Sequence, residues 1–375
     1  MLTIEKIDTG SKAQVNRFVR LPYRLYKKDP YWVPPIIIDI EGQLNRKKNP
    51  FFEHSDADFF IAVRDGRDVG RIAAIENRRF NQYHTTHKAQ FYFFESEDDQ
   101  EITNALFEAL FDWARQRGLD TVFGPKGLGP LDGYGMLIEG FTGHQMMTSM
   151  NYNPPSYPRM LEALGFTKEV DFISCCADRA TFNIPERVRL IAERVEQRGT
   201  LQVQRFTTVK GLKAWSGRIG EAYNRAFVNN WEYYPLTQRE MDYIVSTLET
   251  IADPRLIKII SHGEEVAGFI FAFPDLADSI RRWGGRLLPF GLLDMLIEMR
   301  RAKWVAVNGI GILPEFQGMG GNALLYYEVI KTIFENKFPH GALYQVAETA
   351  VNMRRDLENL GLTPYKNHRV YQRQI

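Results

Sequence analysis

The feature that most constrains the fold of this chain is that it repeats itself. Four landmarks recur in the same order, roughly two hundred residues apart, far beyond the period of a solenoid. An alternating, strand-like start at 2–7 is matched at 201–206. Trp32-Val33-Pro34 is echoed by Tyr233-Tyr234-Pro235. The runs 59–63 and 69–72 flank Asp65-Gly66 and read as a β-hairpin with a tight glycine turn. The runs 256–260 and 266–270 flank His262-Gly263 and read the same way. Last, Leu161-Glu162-Ala163-Leu164-Gly165-Phe166 is paired with Leu357-Glu358-Asn359-Leu360-Gly361-Leu362, each a glycine-capped helix end entering a final strand. A length of 375 residues suits two cores rather than one. The expected division is 1–177 and 201–375, joined over 178–200 by a helix with Pro185 in its first turn and Gly199 at its C-terminal cap.

The second half contains a turn with chemical potential. An apolar run ends in Ile310-Gly311-Ile312-Leu313-Pro314, and Glu315-Phe316-Gln317-Gly318-Met319-Gly320-Gly321-Asn322-Ala323 leads straight into a helix. Ala323, Tyr326, Tyr327, Ile330, Ile333 and Phe334 give that helix one apolar stripe. Glycines leave backbone N–H groups open to a ligand, and the helix adds its positive end, so the turn suits a diphosphate. The stretch resembles the pyrophosphate-binding motif of the GNAT superfamily of N-acyltransferases, Gln/Arg-x-x-Gly-x-Gly/Ala after a bulged strand. Gln317 and Gly320 match, and Asn322 stands where the family has Gly or Ala. The order of elements in each half also resembles the GNAT fold. The resemblance implies an α/β (α+β) chain of two tandem GNAT-like domains, each a mixed, mostly antiparallel sheet flanked by helices. It further implies that Gln317, Gly318, Met319, Gly320, Gly321, Asn322 and Ala323 hold acetyl-CoA or another acyl-CoA. The segments Asp29-Pro30-Tyr31-Trp32-Val33-Pro34-Pro35 and Asn49-Pro50-Phe51-Phe52 resemble a group of bacterial tandem-GNAT proteins.

The first half keeps the strand-to-helix step and lacks the glycines. Its turn, Ser96-Glu97-Asp98-Asp99-Gln100-Glu101, carries four carboxylates. Acidic groups suit a bare helix N-terminus and would repel a diphosphate. The expectation is one CoA per chain. The segment from Gly124 to Gly135, rich in glycine and proline, reads either as a rigid loop at a domain interface or as an acceptor-binding loop. The glycine spacing there is not that of a dinucleotide fingerprint. Asn153-Pro154-Pro155-Ser156-Tyr157 is expected beside it.

Acyl transfer to an amine needs a donor for the developing oxyanion, a group that takes the amine proton, and help for the departing thiolate. The family resemblance carries the oxyanion role to a backbone N–H at Ile312 or Leu313. Glu348, after the apolar run 342–347, is a candidate base or a solvated strand end. Asn352 is a candidate contact to the CoA arm, an N-cap, or both. Glu315 is a weaker base candidate. The tyrosine that acts as acid in many GNAT enzymes is replaced by Leu357, so Tyr365 and Tyr371 on the last strand are the alternatives, each equally a core aromatic. Roughly thirty residues, 274–303, separate two strands that form a near-direct hairpin in a plain GNAT domain. Their apolar residues and arginines suit extra core, a lid, or a membrane surface.

Lys plus Arg number 47 against 46 Asp plus Glu, a net +1, so no global basic field points to nucleic acid. No apolar run approaches a membrane span. The only two cysteines, Cys175 and Cys176, are adjacent, which argues against a disulfide framework and for a reducing cytoplasm. The expected protein is a cytoplasmic monomer or homodimer that acylates a small amine or amino-acid-like acceptor. Two alternatives stand beside it: a non-catalytic acyl-CoA sensor or scaffold, and an aminoacyl or peptidyl transferase of the tandem-GNAT type.

Overall fold

The computed structural model describes residues 1–130, 132–147, 150–231, 233–249 and 251–375. Leu131, in the Gly- and Pro-rich segment singled out above, lies outside the described residues. The first half runs β1 (Leu2–Lys6), α1 (Lys12–Leu25), α2 (Ile37–Leu44), β2 (Asp56–Arg64), β3 (Arg67–Glu76), α3 (Arg78–His84), β4 (Lys88–Ser96), α4 (Gln100–Arg115), β5 (Thr121–Gly124), β6 (Met136–Glu139), α5 (Ser156–Ala163) and β7 (Thr167–Asp178). There follow α6 (Glu186–Arg198), β8 (Gln202–Arg205), α7 (Val209–Lys213), α8 (Ser216–Ala226), α9 (Gln238–Glu249), β9 (Lys258–His262) and β10 (Glu265–Pro274). The chain ends with α10 (Ala277–Trp283), α11 (Gly291–Glu298), β11 (Trp304–Ile312), α12 (Gly321–Glu335), β12 (His340–Ala347), α13 (Val351–Asn359) and β13 (Thr363–Gln374).

Local chemistry accounts for these boundaries. Asp65 and Gly66 both have positive φ, 51° and 76°, which gives the β2–β3 hairpin a turn whose twist matches its strands. Gly199 ends α6 at φ 65°, and Gly165 and Gly361 follow α5 and α13 at φ 79° and 68°. In α12, Leu324, Leu325, Tyr326, Val329 and Ile333 are buried. At about 2 kcal/mol for each large apolar side chain fully buried, packing rather than propensity holds this helix.

The chain divides into two compact units that are not contiguous in sequence. Unit 1 comprises Met1–Phe172, Ala277–Met295 and Lys366–Ile375. Its strand order is β1-β2-β3-β4-β5-β13, with β6 also on β13, and only β4–β5 among the pairs described here is parallel. Helix α4 packs on one face, its Phe107 against Phe91 of β4, and α1 on the other, its Phe18 against Phe59 of β2. Part of the insertion joins this unit: Arg281 donates to the carbonyls of Trp32 (3.2 Å) and Tyr31 (2.9 Å), and the Ile37 amide donates to Gly285 (3.0 Å).

Unit 2 comprises Ile173–Leu276 and Leu296–Tyr365. Its order is β7-β12-β11-β10-β9-β8, with β11–β12 parallel. Among the described residues no helix is long and apolar enough to cross a membrane.

Each unit has a bulge and a notch in its middle strands. In β4, Glu95 and Tyr92 oppose Arg71 and Ala73, so one extra residue is inserted, and Phe93 there has φ 50°. In β11, Ile310 and Val307 oppose Ile270 and Ala272, again one extra residue, and Gly309 has φ 86°. The parallel pairing of β4 with β5 stops at Gln90–Phe123, and that of β11 with β12 at Val307–Leu343. Ladder pairing is not continued past those points among the described residues, although the Lys126 amide still donates to the Phe91 carbonyl at 2.9 Å.

Candidate active site

In unit 2 the glycine turn follows β11 through a short 3-10 turn, Pro314–Phe316, and opens α12. Gly318 and Gly320 have φ of 79° and 84°, a region that favours glycine, and Gly320 is the N-cap with no side chain capping the helix. The first-turn amides of α12 therefore lack a side-chain acceptor. Gln317, Gly318 and Met319 are exposed, and Gln317 Nε2 lies 3.4 Å from the Ile312 carbonyl. The first half differs as its sequence predicts: the Asp99 carboxylate caps α4 by accepting from the Glu101 amide at 2.8 Å, while Arg64 holds Asp99 and Glu101, each at 2.6 Å.

Several expectations change on contact with the geometry. A Cβ on Gly320 would lie 2.7 Å from Val195 and 3.1 Å from Ile191 of α6, and one on Gly321 would lie 2.8 Å from Ile260. The absent side chains of these two glycines also admit close packing against α6 and Ile260. Asn322 is engaged too: its Nδ2 donates to Asp356 at 3.0 Å, tying α12 to α13. Burial raises the Asp356 pKa against that bond. Ala323 is half-buried and packs on the core.

Leu313 is corrected as an oxyanion donor, because its amide donates to the Ala267 carbonyl at 3.0 Å. Since an antiparallel ladder alternates, the amide of Ile312 points to the opposite side, where pairing with β12 has ended. Asn352 is not an N-cap: α13 starts at Val351 after Ala350, and Asn352 is an exposed second residue. Glu348 is half-buried in the turn after β12. Tyr365 belongs to unit 2, and its buried hydroxyl has no hydrogen-bond partner; burial pushes its pKa well up. Tyr371 belongs instead to the core of unit 1, 1% exposed, where its hydroxyl bonds Glu162 at 3.0 Å. Its burial and that bond match the core-aromatic alternative for Tyr371. An apolar cavity of about 60 Å³ lies under α12, lined by Tyr326, Val329, Ile330 and Ile333 with Leu343 of β12.

The second site is one the sequence reading missed. Unit 1 encloses a cavity of about 170 Å³ at the β4 notch, lined by Trp32, Arg71, Tyr92, Glu95, Asn151 and Tyr157 among others. Glu95 lines it two residues past the bulge residue Phe93. Tyr26 donates to Glu95 Oε2, and the Tyr157 hydroxyl lies 3.3 Å from the same oxygen. The Tyr157 hydroxyl also accepts from the Ser96 amide at 2.7 Å. Burial raises the Glu95 pKa to about 7, against the pull of Arg71 and the tyrosine bonds. Burial likewise raises Asp132, which caps the loop by accepting from the Gly129 amide at 2.8 Å, to about 6.

The fold and the family can now be compared with known proteins. No family model matches the sequence. Over 98% of this chain and 97% of the other, it is 30% identical to a protein named bacterial ceramide synthase from Caulobacter vibrioides. Protein YghO of Escherichia coli is 26% identical over 97% of this chain and 94% of its own. Among solved structures, a tandem GNAT protein from the clavulanic acid biosynthesis pathway aligns over 100% of this chain and 98% of its own, with TM-score 0.57 at 12% identity. A GCN5-related N-acetyltransferase from Sphaerobacter thermophilus aligns over 100% and 95%, with TM-score 0.52 at 13% identity. The duplicated sheets have the fold of tandem GNAT proteins, and identity along nearly the whole length shows that the chain belongs to the family of the protein named bacterial ceramide synthase.

Proposed function

We propose that the protein is an acyl-CoA-dependent N-acyltransferase whose acceptor is an amphiphilic primary amine. The observation that carries this reading is the open N-terminus of α12, in a chain whose relative is named for making a ceramide. A ceramide is an amide of a fatty acid with a long-chain amino alcohol, so the acceptor class we favour is a long-chain amino alcohol or amino ketone. A fatty acyl-CoA is the corresponding donor, with acetyl-CoA the shorter candidate.

The residues of unit 2 take the following roles in this reading. Gln317, Gly318, Met319 and the first-turn amides of α12 hold the diphosphate against the positive end of the helix. The Ile312 amide, on the unpaired side of β11, donates to the thioester carbonyl oxygen as charge develops there. Tyr365 keeps its proton at neutral pH and serves the departing thiolate. Glu348 takes the amine proton, and Asn352, exposed on α13, borders the CoA arm. Bound acyl-CoA supplies the electrophilic carbonyl. Such a donor fits the cytoplasmic compartment expected from two free cysteines. A sensor that binds acyl-CoA without turnover is the second reading, favoured by the buried Leu357 at the usual acid position.

Calorimetric titration with palmitoyl-CoA and acetyl-CoA tests the donor, and release of free thiol on adding sphinganine tests the transfer. One equivalent bound plus thiol release is expected. Binding without release for any long-chain amine would favour the sensor, and no binding of any acyl-CoA would end both readings.

A further inference from the structure

The polar cavity of unit 1 has no part in the roles just given, yet it is built for a ligand. Its two charged groups, Arg71 and Glu95, face each other across a gap. Arg71 Nη2 is 3.8 Å from Glu95 Oε1, too far for the 2.7–2.9 Å of a charge-assisted bond. The tyrosines bond Glu95 at Oε2 and leave Oε1 free of them; Arg71 donates from Nη1 to the Phe18 carbonyl at 2.8 Å, while its Nε, in a residue 3% exposed, is buried with no partner. Leaving a buried polar group unsatisfied costs about 1–3 kcal/mol. A purely structural pair would close the gap. Beside it Phe93 sits at φ 50°, where a bulky residue is strained by roughly 1–3 kcal/mol. The volume, about 170 Å³, leaves room for on the order of ten water-sized groups, the scale of a head group and not of a chain.

We infer that this cavity is a recognition site for a primary amine with an oxygen on a neighbouring carbon. The ammonium sits on Glu95 Oε1 and the oxygen accepts from the Arg71 guanidinium, whose Nη2 faces Glu95. The ligand class rests on the N-acyltransferase reading; the existence of the site does not. Tyr26, Tyr157, Tyr92 and Arg71 are the titratable and charged groups around Glu95. The tyrosines are all pushed up by burial, so Glu95 alone changes charge near neutrality, and a bound ammonium holds it ionised.

The test is calorimetric titration of the full chain, without CoA, with 2-amino-1,3-propanediol, glycerol and n-propylamine. The amino-diol is expected to bind, propylamine more weakly, and glycerol not at all. Glu95→Gln is expected to weaken the amino-diol at least tenfold while leaving the acyl-CoA titration unchanged. Wild-type protein that takes up no amino-diol at millimolar concentration, or takes up glycerol equally well, overturns the inference, as does unaltered binding by the variant. Should the variant not fold, the wild-type selectivity still decides. Acyl-CoA binding without amine binding would sink this site and leave the donor reading standing; the converse would do the reverse.

A separate observation carries a second proposal. The turn before α11 and the outer face of that helix expose Leu288, Phe290, Leu292, Leu293, Leu296 and Ile297, at 42 to 77%. The helix is fixed on its other side: Met295 is buried, and Asp294 accepts from Ser279 (2.8 Å) and Arg282 (3.0 Å). Arg286, Arg300 and Arg301 are exposed around this face, and none pairs with a carboxylate among the described residues. Two copies docked through the face would bring these cations together. We propose that α11 lies in the surface of an anionic bilayer, its leucines among the acyl chains and its arginines at the phosphates.

Co-sedimentation with vesicles of equal phosphatidylglycerol and phosphatidylcholine is expected to carry the protein down. Pure phosphatidylcholine should carry less, and high salt should weaken the effect. Leu293→Glu with Phe290→Glu should leave the protein in the supernatant with its melting temperature unchanged. A wild type that ignores anionic vesicles, or a dimer by light scattering that the same substitutions dissolve, overturns the proposal.

Discussion

Phe93 and Gly309 hold the same conformation at the same place in the two halves: each has a left-handed φ, 50° and 86°, at the extra residue of its bulged strand. The bulge is therefore kept even where glycine is not. In the second half the residue type matches the backbone, and in the first half the packing of Phe93 near Arg71 and Phe18 overrides it.

Gly309→Ala should accordingly destabilise the protein by about 1–2 kcal/mol, the cost of a left-handed L-residue, with a Cβ only 3.1 Å from the Phe271 ring. Chemical denaturation midpoints check this. A neutral result would mean that β11 can shed its bulge.

Met319→Asp places a carboxylate at the open start of α12. The helix dipole should make it neutral or stabilising by about 0.3–1 kcal/mol, while acyl-CoA affinity falls at least tenfold. Calorimetry and a melting curve on one preparation read both. Gly320→Asp is the poorer probe, because its Cβ would meet Val195 and Ile191 whether or not CoA binds.

Tyr365→Phe removes a buried hydroxyl that has no partner. Stability should hold or rise by up to about 1 kcal/mol, because an unsatisfied polar atom is lost. If Tyr365 serves the thiolate, thiol release should slow by roughly a hundredfold with acyl-CoA binding unchanged. Full turnover in a stable variant would remove it from the chemistry.

Glu95 has its pKa raised from 4.5 to about 7 by folding. Between those values the folded state binds more protons than the unfolded one, so this group makes stability fall as pH rises from about 4.5 to about 7. The shift corresponds to roughly 3 kcal/mol. Asp132, raised to about 6, acts in the same direction, so the comparison must be with Glu95→Gln. The variant's urea midpoint should gain on the wild type across that window, and a constant difference would refute the assignment.

The sequence carried the hairpins, the glycine-capped helix ends and the α12 turn plainly, because each depends on neighbours a few residues apart. It carried the acidic cap of α4 for the same reason. The unit 1 cavity was hidden. Alternation along β4 predicts which side chains face inward, but the extra residue at Phe93 breaks the period, and Glu95 follows the break. Tyr26 and Tyr157, 131 residues apart, meet only through the fold. The glycines at 320 and 321 have a second role that was hidden for a related reason: the absent side chain makes room for α6 and Ile260, partners that local spacing does not name. The grouping of Tyr371 with unit 1 was hidden too, because the pairing of its strand with β5 spans the length of the chain.

That last strand has a consequence for how the protein is made. β13 pairs with β5 through Tyr371–Gly124, and Val370 and Tyr371 are fully buried. A ribosome finishes the rest of unit 1, through Met295, before it reaches these residues. The first half must therefore wait, with the β5 edge unpaired, until this strand has been made. A nascent chain stalled before Lys366 would display that edge to any passing strand. A strand made after the whole of unit 2 thus completes the sheet begun by the first residues.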